Sequence, residues 1–133
     1  MNVLDENVPE EQRLLLLRGK VAVRQIGKEV GATGMTDENI LPLLHHLHRP
    51  TFFTRDSDFY RRGLRHERYC LVWLDVRLTD VAEHVRKFLR HPTFKAQAKR
   101  MGWVVQVAPS GISAWGPGAE KETHWSWPTK GRK

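Results

Sequence analysis

Acidic side chains recur at strand-like exits in a chain that is otherwise strongly basic. Asp5 and Glu6 follow the apolar start Asn2-Val3-Leu4, Asp37 and Glu38 follow Thr36, and Asp56 and Asp58 follow Thr51-Phe52-Phe53-Thr54. Carboxylates brought into one pocket repel one another, and some of their pKa values rise unless a cation neutralises them. A hard divalent ion with oxygen ligands, Mg²⁺ or Mn²⁺, satisfies such a set. Held by two to four carboxylates, an ion of this kind activates a water and stabilises charge on phosphodiester oxygens. Acids also cap helices and fill turns, and Asp37 has that reading too. The repetition at two strand ends is what points to a site.

Arg55, Arg61, Arg62, Arg65 and Arg68 surround the second acidic group, with Tyr60 and His66 among them. Guanidinium groups beside a carboxylate pocket suit a phosphate backbone. A solvated face that uses arginine for solubility is the competing reading, since Phe59 and Leu64 give the segment an apolar side.

The elements that must position these residues alternate. Pro9, Glu10, Glu11 and Gly19 mark the start and stop of a helix over 9–18. Val21–Ile26 reads as a strand. Residues 27–35 hold three glycines without the lysine and serine of a phosphate loop, so they read as a flexible connection. Thr36 caps a helix through Leu47 that must accommodate Pro42. Residues 51–54 and 70–74 read as strands. Thr79 or Asp80 caps a helix with Val81, Val85, Phe88 and Leu89 on one face, ended by His91-Pro92. A further helix is expected over 93–101, and strands over 103–107 and 112–115. Residues 1–115 are thus expected to form one domain, and 116–133 a basic tail, loose unless Trp125 and Trp127 dock it. Strands alternating with helices predict an α/β, Rossmann-like three-layer fold with a mostly parallel central sheet, whose crevice lies beyond the carboxyl ends of the strands.

The chain has 133 residues, 40% of them hydrophobic, which suits a single globular domain needing no disulfide. Cys70 is the only cysteine, and in an apolar strand it reads as a small buried hydrophobe. Twenty-two Lys and Arg against 15 Asp and Glu leave a net charge of +7. This excess favours a polyanionic partner, most often nucleic acid. The longest apolar run, Leu14–Leu17, is far too short to span a membrane, and the acidic start is unlike a secretory leader. A cytoplasmic protein is expected.

Three blocks, Val3-Leu4-Asp5-Glu6-Asn7-Val8-Pro9, Gly34-Met35-Thr36-Asp37-Glu38-Asn39-Ile40 and Phe52-Phe53-Thr54-Arg55-Asp56-Ser57-Asp58-Phe59, together resemble the PIN-like nuclease family, in its small toxin-like branch. The resemblance covers residues 1–60 in order and spacing. It implies a PIN-type fold and Mg²⁺- or Mn²⁺-dependent cleavage of RNA. It further implies a toxin neutralised by a small antitoxin protein. Carried over by position, Asp5 and Asp56 are metal ligands, Asp58 completes the cluster, and the helix acid falls on Asp37 or Glu38. Thr54 would orient the attacking water. A homodimer is left open.

Two rivals stand beside this reading. A receiver-type signalling domain also groups acids around Mg²⁺, but the lysine expected after its last strand is missing. A catalytically silent module of the same fold would bind nucleic acid or a partner without cutting. His45, His46 and His48 fan around a helix and read as structural, not as a zinc site.

Overall fold

A computed structural model of the chain describes residues 1–128; the last part of the expected tail, 129–133, lies outside the described residues. Seven strands form one sheet: β1 (Asn2–Leu4), β2 (Arg24–Gln25), β3 (Thr51–Thr54), β4 (Cys70–Leu74), β5 (Val104–Ala108), β6 (Gly111–Trp115) and β7 (Thr123–Ser126). Their order is β2-β1-β3-β4-β5-β6-β7. The first five run parallel, and β6 and β7 add an antiparallel meander. The helices are α1 (Glu10–Arg18), α2 (Asp37–His46), α3 (Val81–Arg90) and the short α4 (Gln97–Arg100). The α/β architecture with a mostly parallel sheet is therefore as the sequence predicts.

Near-continuous apolar runs make the central strands, because both of their faces are covered. Successive residues alternate between two cores. Leu4, Phe53, Val72 and Val105 point to one face, where Leu16 of α1 and Val81, Val85 and Phe88 of α3 cover them. Val3, Phe52, Leu71 and Val104 point to the other, under Ile40 and Leu44 of α2 and Phe59, Leu64 and Tyr69 of the β3–β4 connection. Gln12 joins α1 to α3 by accepting the Ala82 amide at 2.9 Å.

The crossover from β4 through α3 to β5 lies on the α1 face. It nevertheless steps across the sheet in the same direction as β2–α2–β3 and β3–β4, which use the α2 face. Its hand is therefore opposite to that of the other parallel connections, against a strong general preference for one hand. On the α2 face, the space a helix would fill over β4 to β6 is taken by the 60–65 segment. Tyr60 rests on Trp73, and the Arg62 guanidinium lies 5.6 Å from the Trp115 ring centroid.

Several elements differ from the sequence reading. The strand expected over 21–26 narrows to Arg24–Gln25, paired with β1 alone. The helix expected over 93–101 shrinks to Gln97–Arg100, because Phe94 turns inward to stack on Phe88, with ring centroids 5.0 Å apart. Pro42 stays inside α2. It removes only the amide that would reach Glu38, whose exposed position leaves its carbonyl to water. The expected loose tail instead supplies β7. Trp125 packs on His91, Phe94 and Trp103, and Trp127 donates its Nε1–H to the Ala108 carbonyl at 2.8 Å.

Candidate metal centre

The chain reverses its direction of travel at β1: β2 is laid on one side of it and β3 on the other. In such sheets a crevice opens beyond the carboxyl ends of the two strands at the reversal. Here it is a cleft of about 370 Å³, lined by Asp5, Glu6, Asn7, Val8, Met35, Asp37, Ile40, Arg55, Asp56 and Leu78. The β1 exit, the start of α2 and the β3 exit all open into it.

Asp5 is fixed from both sides. Its Oδ1 accepts the Glu6 amide at 2.7 Å, and its Oδ2 accepts the Thr54 hydroxyl at 2.6 Å. The loop that carries it is pinned by Gln25. This buried amide donates from Nε2 to the carbonyls of Asp5, Glu6 and Val8 at 3.0, 3.3 and 2.9 Å. Thr54 is fully buried at the end of β3 and also accepts the Asp56 amide, at 3.0 Å. One hydroxyl thus ties the two strand exits together. Its single proton is engaged with Asp5.

Asp56 turns the chain at the β3 exit by accepting the Asp58 amide on Oδ1 at 2.9 Å. This Asx turn brings Asp58 back beside it. One carboxylate oxygen from each of Asp37, Asp56 and Asp58 lies within 4.8 Å of the others. Glu38, the alternative helix acid, neither lines the cleft nor belongs to this group. The helical turn separates the two neighbours, and Asp37 is the one that meets the cluster.

The electrostatics follow from this crowding. Burial pushes the Asp5 carboxyl above the usual range, and the charges of Asp56 and Glu6 add to the shift. The hydrogen bonds from Thr54 and the Glu6 amide oppose it. Asp37 is raised as well, by desolvation at the cleft and then by Asp56, Asp58 and Asp5. Among the described residues no ion pair reaches Asp5, Asp37 or Asp56. Asp58 meets Arg61 at 3.9 Å with both side chains exposed, a geometry of little energetic weight. The cleft therefore carries concentrated negative charge, and the one cation on its wall, Arg55, forms no ion pair with these acids.

Its donors are all carboxylate oxygens, with no thiolate or imidazole among them. That set fits Mg²⁺ or Mn²⁺ and does not favour zinc.

The arginines divide. Arg55 lines the cleft, its Nε donating to the Val76 carbonyl at 2.9 Å, and Arg61 stands at the rim beside Asp58. Arg62 covers Trp115. Arg65 donates to the carbonyls of Arg62, Gly116 and Ala119, and Arg68 donates to the His45 carbonyl at 3.2 Å. Three of the five thus brace loops and leave the cleft to the other two. His45 and His66 sit edge to face, 4.3 Å apart, beside Tyr69 and away from the acids.

Some cleft residues have roles that the sequence reading did not assign. Glu6 accepts the Gly34 amide at 2.8 Å and so anchors the glycine-rich loop against the β1 exit. Its place directly after Asp5 was the available signal. Met35 and the exposed Leu78 form an apolar lip that no spacing marks. In comparisons with family models, curated proteins and solved structures, nothing matches this chain.

Proposed function

We propose that this protein is a divalent-cation-dependent ribonuclease whose centre is the carboxylate cleft at the ends of β1 and β3. The convergence of Asp37, Asp56 and Asp58 beside Asp5, contributed by three separate segments, with Asp5, Asp37 and Asp56 in no ion pair among the described residues, carries this reading. The basic balance of the chain and the resemblance of its three acidic blocks to PIN-like nucleases support it.

When bound, Mg²⁺ or Mn²⁺ supplies the positive charge that lowers the pKa of a water and offsets charge on the phosphodiester. Asp37, Asp56 and Asp58 would hold the ion. Asp5, half-buried and held in place by Thr54, accepts a proton from the attacking water, for which its raised affinity suits it. The water oxygen forms the new bond to phosphorus, the bond to the leaving oxygen breaks, and solvent returns a proton to that oxygen. Arg55 has both terminal nitrogens free of the bond to Val76, and on the cleft wall it neutralises a non-bridging phosphate oxygen. The Met35 and Leu78 lip partly shields the reacting phosphate from water.

The same resemblance extends the proposal to a toxin restrained by a small antitoxin protein. A receiver-type phosphoacceptor shares the strand order, but β5 here ends in Ala108 and continues with Pro109-Ser110, without the lysine of that class.

RNA cleavage with Mg²⁺, with EDTA, and with Asp5→Asn and Asp56→Asn tests the proposal. Cleavage abolished by EDTA and lowered at least about 100-fold by each substitution supports it. Variants that cut as fast as the parent chain would show a contaminating nuclease and end it.

A further inference from the structure

A second feature lies on the α1 face of the sheet, away from the acids. The outer side of α3 and the end of β7 enclose a groove of about 560 Å³ between Arg86, Lys87, Arg90, Trp127 and Pro128, with Glu83 its one acid. The cations are not balanced. Among the described residues, none of Arg86, Lys87 or Arg90 makes an ion pair. The hydrogen bond that Arg86 makes, to the Leu15 carbonyl, is a long 3.4 Å. Lys87 Nζ stands 4.6 Å over the Trp127 ring, and that ring is held by its bond to Ala108. Arg86 and Arg90 are one helical turn apart on the same side of α3.

The chain links the groove to the cleft, although their linings share no residue. Leu78 on the cleft lip belongs to the 78–80 turn that leads directly into α3. From there α3 runs about 15 Å, the reach of two or three phosphates of a single strand.

We propose that this groove binds the phosphate backbone of the single-stranded RNA whose scissile linkage occupies the cleft. The inference rests on the ribonuclease reading above. A polyanion supplies the counter-charge that Arg86, Lys87 and Arg90 lack, and the fixed Trp127 ring holds the Lys87 ammonium in place in the groove. An acidic peptide would meet the same cations, but nothing would lead it to the cleft lip. A strand that passes from the cleft over Leu78 and along α3 would meet both.

The test uses the full chain carrying Asp56→Asn, in EDTA, so that binding is read without cleavage. The probe is a fluorescein-labelled oligouridine of about twelve nucleotides, within the usual single-strand site sizes, followed by anisotropy. Adding Arg86→Gln with Arg90→Gln weakens binding about tenfold and reduces the salt slope by about 1.4, the value for two lost single-strand phosphate contacts. Adding instead Arg49→Gln with Lys121→Gln, the same charge change at exposed sites outside the groove, alters binding less than about twofold. Unchanged binding in the groove variant overturns the proposal. So do equal losses in both double variants, which would show a net-charge effect, and displacement of the RNA by polyglutamate of equal length at equal concentration. Cleavage by the chain with Asp56 restored is measured separately. If it cuts no RNA with Mg²⁺, the ribonuclease reading fails, whatever the groove binds.

Discussion

The Thr54 hydroxyl donates to Asp5 Oδ2 at 2.6 Å, joining residues 49 positions apart at the ends of two adjacent parallel strands. The same oxygen accepts the Asp56 amide. Two acidic segments remote in sequence are thereby set in register by one buried side chain. The positions of Asp5 and Asp56 relative to each other are a property of the sheet and not of the loops.

Thr54→Val keeps the shape of that side chain and removes both bonds. A buried hydrogen bond to a charged group is worth roughly 1.5–3 kcal/mol, so stability should fall by an amount of that order in urea unfolding. Because the Thr54 bond holds the Asp5 carboxyl down, its loss raises Asp5 further. The acid limb of the cleavage profile should then move to higher pH. A limb that stays in place would show that Asp5 is not the group titrating there.

Asp5 and Asp37 are both raised, and the sign of their effect on stability follows. Between the unfolded and the folded pKa, the folded chain holds more protons than the unfolded one. Stability therefore falls as pH climbs through that window and stays lower above it. Asp5→Asn should raise the unfolding temperature at neutral pH by roughly 4 °C, the shift about 1 kcal/mol produces in a chain of this size. The gain should vanish below the unfolded carboxylate range, near pH 3. Equal gains at both pH values would contradict the electrostatic account.

At Gly111 in β6, a Cβ would meet the Trp125 carbonyl oxygen at 2.2 Å. Gly111→Ala must therefore push β7 away and loosen Trp125 from Phe94. A loss of about 2–3 kcal/mol, in the range of strained core changes, is expected in chemical unfolding, with a rise in tryptophan exposure. Parent-like unfolding of the variant would mean that β7 is not part of the cooperative fold.

Much of the site was legible because its acids follow strands whose apolar runs announce themselves. Thr51–Thr54 and Cys70–Leu74 are read in sequence with their observed bounds. The choice between Asp37 and Glu38 was not legible, since it depends on the rotation of α2 against the β3 exit. The division among the arginines was hidden for a similar reason. Arg65 looks like a phosphate ligand until the chain beyond Gly116 folds back and presents two carbonyls to it. The strand β7 was hidden by its flanks: Gly116-Pro117-Gly118 before it reads as a loose segment, and only Trp125 and Trp127 hinted that it docks. Nor does local pattern encode the face that α3 chooses, which depends on contacts such as Gln12 with Ala82, 70 residues away.

The central claim is that Asp37, Asp56 and Asp58 hold one divalent ion. Mn²⁺ titration calorimetry on the parent chain, Asp37→Asn, Asp56→Asn and Glu38→Gln tests it most directly, with unfolding temperatures alongside. The parent and Glu38→Gln should bind one Mn²⁺ and gain about 2.7 kcal/mol of stability at a hundredfold excess over Kd. Asp37→Asn and Asp56→Asn should each lose most of that heat and stabilisation. Equal binding by all four chains, or no saturable heat in the parent, would contradict the account.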